Sequence, residues 1–72
     1  KNRRFIPVKK VIFNIGSNKF NLDKELINTV PNVGDYVKYE TFKGIVERIV
    51  HTYKGNDLII NVYIKEYPDL DL

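Results

Sequence analysis

A chain of 72 residues with no cysteine and one histidine has room for one small domain and holds neither a disulfide nor a thiolate metal site. No apolar run approaches the roughly 18 residues of a membrane-spanning helix, so no membrane partner is expected. The net charge of +3 is unevenly spread: Lys1, Arg3, Arg4, Lys9, Lys10 and Lys19 precede the first acid, Asp23, whereas Glu66, Asp69 and Asp71 close the chain. Such a basic head is a footprint for phosphate or simply a solvated arm.

Isoleucine and valine dominate and alanine is absent. Stiff β-branched side chains suit a pleated sheet better than a helix. The weight of Asn, Ile, Lys, Tyr and Phe also points to an AT-rich genome, such as that of a low-GC bacterium, its phages or its mobile elements.

In chain order, residues 1–4 are too charged to fold alone and are expected to fray. Phe5 to Ile15 reads as a strand, with Val11, Phe13 and Ile15 on one face and Lys10, Ile12 and Asn14 on the other. Pro7 lacks an N–H and so precedes pairing or sits at an edge. Gly16-Ser17-Asn18 is a turn, and Lys19 to Leu22 pairs back. Asn21 to Val30 is expected as a short helix capped by Asn21 or Asp23, with a twisted strand as the competing reading. Pro31 ends it.

Tyr36 to Glu40 and Gly44 to Tyr53 are the next strands. Neither alternation of the second is clean. A β-bulge near Glu47-Arg48 would return Val46 and Ile49 to the same side. Lys54-Gly55-Asn56-Asp57 has hairpin-turn composition, and Leu58 to Glu66 is the last strand. The tail from Tyr67 to Leu72 frays or docks a leucine. Five turn-bounded strands predict one mainly β domain over residues 1–72, a small five-stranded antiparallel barrel with at most one short helix. Its core is expected to contain Val11, Phe13, Ile15, Val37, Val46, Ile49, Ile60, Val62 and Ile64.

Gly34-Asp35-Tyr36-Val37, followed by Gly44-Ile45-Val46-Glu47-Arg48-Ile49, resembles the G-D-x-V … G-x-V-x-x-I pattern of SH3-like barrels, the group that includes KOW motifs and Tudor-type domains. The resemblance covers residues 33–49 and implies an SH3-like barrel that binds RNA, DNA, methylated side chains, peptides or other domains. Its loop, Glu40 to Lys43, is shorter than that of KOW motifs and lacks their second glycine.

Catalysis needs convergent groups. The one histidine, His51, and the one serine, Ser17, lie on different elements, and no phosphate loop, nucleophile elbow or metal-ligand spacing occurs. The chain is therefore expected not to be an enzyme and to use no metal and no cofactor. What remains is a surface. Basic groups interleaved with aromatics suit nucleic acid, charge meeting phosphate and rings stacking on bases. Tyr36, Lys38, Phe42, Lys43 and Arg48, extended by Arg3 and Arg4, are the candidate binding residues. Phe42 is either a contact residue or a lid on the barrel. Two functions follow. The first is a small cytoplasmic protein-interaction module, such as a phage or mobile-element accessory or inhibitor protein acting on a host protein. The alternative is a nucleic-acid-binding barrel.

Overall fold

The computed structural model describes residues 8–22 and 30–69. These form five strands: β1 (Val8–Ile15), β2 (Asn18–Leu22), β3 (Tyr36–Tyr39), β4 (Phe42–Lys54) and β5 (Asp57–Glu66). They make one sheet in the order β2-β1-β5-β4-β3, curled into a half-barrel. The all-β reading holds. The expectation of a wholly antiparallel sheet does not. Neighbours in sequence pair antiparallel, but β1 and β5 lie side by side in parallel, from Val8↔Leu58 to Ile15↔Ile64. The reason is topological: the β1–β2 hairpin and the β3–β4–β5 meander join through their inner strands, which run the same way. The predicted helix falls mostly on residues 23–29, outside the described part. Asn21 itself is a residue of β2, paired with Ile12 of β1.

Three two-residue turns fold these strands back. Pairing of Ile15↔Asn18, Tyr39↔Phe42 and Lys54↔Asp57 leaves Gly16-Ser17, Glu40-Thr41 and Gly55-Asn56 as loops. The first loop residue has positive φ each time: 60° at Gly16, 58° at Glu40 and 62° at Gly55. That sign matches the strand twist in tight hairpins, and glycine adopts it without steric cost. Glu40 adopts it against its Cβ.

Before β3 the chain turns at Asn32–Asp35. The Asp35 N–H donates to the Asn32 carbonyl at 3.0 Å, and the Asn32 N–H donates to Asp35 Oδ2 at 2.8 Å. Asp35 thus holds its own turn. The turn feeds straight into the sheet, since the Gly34 N–H donates to the Val46 carbonyl at 2.9 Å and the Val46 N–H to the Asp35 carbonyl at 3.0 Å.

The concave face holds the core: Val11, Phe13, Ile15, Val46, Leu58, Ile60, Val62 and Ile64, none more than 8% exposed. Val37 and Ile49, expected in the core, are half-buried against it. Leu58 was not expected there. The bulge falls where the alternation failed: the register shifts between Val46↔Ile64 and Arg48↔Tyr63, so Val46 and Ile49 both face inward. Phe20 of β2 lies 5.0 Å from Tyr39 and 5.2 Å from Phe42, and Phe13 of β1 lies 5.7 Å from Tyr39. These rings bridge the concave side from β1–β2 to β3–β4 and hold the curl. Such ring pairs add about 0.5–1.5 kcal/mol each beyond their burial.

Two glycine-related substitutions test this geometry. A Cβ at Gly44 would overlap the Lys65 carbonyl oxygen and lie 2.6 Å from Ile64 Cγ2. Gly44→Ala is expected to cost about 3 kcal/mol or more, because the obstacle is backbone. Glu40→Gly is expected to gain up to about 1 kcal/mol by relieving the left-handed residue. Urea midpoints of the two variants check both signs.

Candidate nucleic-acid interface

Alternation, interrupted in β4 by the bulge, sends every second side chain of each strand to the convex face. Register then sets which of them are neighbours. Lys19, Asn14, Tyr63 and Arg48 form one row across β2, β1, β5 and β4. Lys65, Ile45 and Tyr36 form the next across β5, β4 and β3. Lys43 and Lys38 face one another directly across β4–β3, and the Tyr67 N–H donates to the Lys43 carbonyl at 2.9 Å, bringing Tyr67 alongside.

The result is a division of charge. Of the eight described lysines and arginines, six stand on this face away from the β4–β5 hairpin tip: Lys10, Lys19, Lys38, Lys43, Arg48 and Lys65. Lys9 instead pairs with Asp57 at 3.7 Å, and Lys54 sits opposite the same Asp57 at the far hairpin tip, where one acid serves two cations. Among the described acids Glu47, in the bulge, joins the basic group, and Glu66 lines a groove at its end. Arg48 stacks over the Tyr63 ring at 4.2 Å, and Lys65 lies 5.4 Å from the Tyr67 ring. Tyr36 has no such cover and is 64% exposed. At one end of the face an open groove of about 440 Å³ is lined by Asn14, Lys19, Glu47, Tyr63, Lys65 and Glu66, with Ile64 and the β1–β2 turn. Its floor includes Asn14, buried and donating its amide to Asn61 Oδ1 at 3.2 Å.

The candidates read from sequence divide accordingly. Tyr36, Lys38, Lys43 and Arg48 are brought together. Phe42 is not with them. It is the first residue of β4, opposite Tyr39, and turns its ring into the concave side against Phe20. The four-residue loop expected at Glu40–Lys43 is only Glu40-Thr41, so Phe42 has no loop to stand on. Arg3 and Arg4 lie outside the described residues. Tyr63, Lys65, Tyr67 and Lys19 were missed. Tyr63 and Lys65 already stood on one face of the last strand, but only the β4–β5 register shows that this face adjoins Arg48 and Ile45. The expected frayed tail begins with Tyr67, which is anchored through its N–H.

Compared with protein-family models, curated proteins and solved structures, the chain matches none. No cluster of His, Asp and Glu suited to a metal ion occurs among the described residues.

Phe42 as a wedge rather than a contact makes a clear prediction. Phe42→Ala should lower stability by about 2–3 kcal/mol, somewhat less than for a fully buried ring. Binding per folded molecule should be unchanged. Thermal unfolding and a titration of the folded fraction separate the two effects.

Proposed function

We propose that the chain binds single-stranded nucleic acid across the convex face of its sheet. The observation that carries this reading is the gathering of six cations and three tyrosines on one face, with Glu47 and, at the groove, Glu66 as the acids beside them. A structural role alone gives little reason for it. Like charges directly opposite on neighbouring strands destabilise a sheet, yet Lys38 faces Lys43. A polyanion removes that repulsion. Tyrosine rings on a sheet offer bases a stacking surface worth about 1–3 kcal/mol per base. Tyr36 is open for this, and Tyr63 lines the groove with Arg48 over its ring. A broad curved face suits a flexible single strand better than a duplex, whose bases lie inside grooves.

The protein-interaction reading keeps one observation in its favour, the outer edge of β4 that no described strand covers, and a salt-insensitive interaction with a protein would support it. For the nucleic-acid reading, five or six phosphate contacts would give a log–log slope of affinity against salt of about −3.5 to −4 for a single strand. The variant Lys38→Glu is the sharper test. It replaces a repulsive cross-strand pair with an attractive one, so stability should rise by about 0.5–1 kcal/mol. Affinity for a single-stranded oligonucleotide should fall about ten-fold or more. A more stable variant that binds equally well would remove this face from consideration.

A further inference from the structure

β4 is longer than the strand beside it. Among the described residues, β3 and the turn before it cover β4 only from Phe42 to Val46. Beyond the bulge, β4 runs on to Lys54 with β5 on one side and none of the described residues paired on the other. Val46 turns its N–H and C=O toward β3. The bulge then sets two successive residues, Glu47 and Arg48, opposite one residue of β5 before alternation resumes. The next residues to turn their backbone groups outward are therefore Ile49, His51 and Tyr53.

Sheet edges are ordinarily blunted by charge, proline or short length. This one carries Ile49-Val50-His51-Thr52-Tyr53, five residues without a lysine, arginine, aspartate, glutamate or proline. All five are β-branched or aromatic. Val50 is 39% and Tyr53 is 62% exposed, one on each face of the sheet.

We infer that this edge pairs with the same edge of a second copy, antiparallel about a two-fold axis at His51. The register follows from the backbone. Centred on His51, Ile49 faces the second copy's Tyr53 and His51 faces its counterpart. Every outward N–H and C=O then finds a partner. Three donors and three acceptors from each copy make six hydrogen bonds. A shift of one residue either way along the strand moves the axis to Val50 or Thr52, whose backbone groups point to β5, and leaves outward groups of each copy unpaired. The side chains agree. An isoleucine meets a tyrosine twice on the concave side, and Val50 meets Thr52, both β-branched, twice on the convex side. Only the rim opposes it: Arg48 faces Lys54, with Arg48 drawn aside over Tyr63. Such an isologous contact is the commonest oligomeric arrangement. Because its axis is perpendicular to the sheet, both convex faces lie on the same side of a ten-stranded sheet. The pairing rests on the edge alone and not on what the convex face binds.

The chain has no cysteine, so one can be introduced without competition. Hydrogen-bonded residues opposite one another on antiparallel strands have Cα atoms about 5.5 Å apart, within disulfide reach. His51→Cys should therefore cross-link to itself under a mild oxidant. Thr41→Cys, at another hairpin tip, serves as the collision control. The expected result is a dimer of the unmodified chain by sedimentation and cross-linking of His51→Cys at least about ten-fold faster than of Thr41→Cys. His51→Pro removes the central outward N–H, which an edge strand tolerates, and should leave a folded monomer by circular dichroism and sedimentation. A chain that stays monomeric at millimolar concentration overturns the inference. So does a dimer in which the two cysteine variants cross-link at equal rates, since it would form elsewhere.

Discussion

One extra residue in β4 decides what each face of the sheet carries. Without the bulge at Glu47-Arg48, strict alternation from Val46 would send Arg48 into the core and Ile49 to the outside. With it, Ile49 stays against Val62, and Arg48 lies over Tyr63. A single register shift thus keeps an apolar concave side and a basic convex side continuous along the longest strand. The described residues measure 47 × 21 × 19 Å, and β4 at about 3.3 Å per residue nearly spans the long axis. What β4 does at its bulge therefore governs most of the molecule.

The concave side is closed by side chains rather than by a continuous ladder. Phe13, Phe20, Tyr39 and Phe42 bring the two outer hairpins over the core, and Gly44 lets β4 lie close enough to β5 for that curvature. Curling the sheet inward spreads its outer face. The lysines and Arg48 there stand on a convex surface, with tyrosine rings between them. Among the described residues, part of the β4 edge has no strand beside it. Both proposals rest on this division, one on the outer face and one on the edge.

Much of the fold was legible in the residues because it is local. Period-two alternation in β1 and β5 named Val11, Phe13, Ile15, Ile60, Val62 and Ile64, all buried. Gly16 and Gly55 marked their turns, and the broken alternation marked the bulge. The parallel β1–β5 pair was not legible, since alternation reports a strand's faces but not its neighbours. Phe42 was misplaced because the turn before it uses Glu40 at positive φ, where no glycine signals a tight loop. The convex site was half legible for the same reason as the parallel pair. Residues close in sequence were found, while Tyr63 and Lys65 reach Arg48 and Tyr36 only through cross-strand register.

Amide and side-chain chemical shifts of the labelled protein, followed during titration with a short single-stranded oligonucleotide, test the central claim most directly. The account predicts perturbations concentrated at Tyr36, Lys43, Arg48, Tyr63 and Lys65, with Val11, Phe13 and Phe42 unmoved. Perturbations centred on the concave side or the hairpin tips, or no perturbation at low salt, would contradict it.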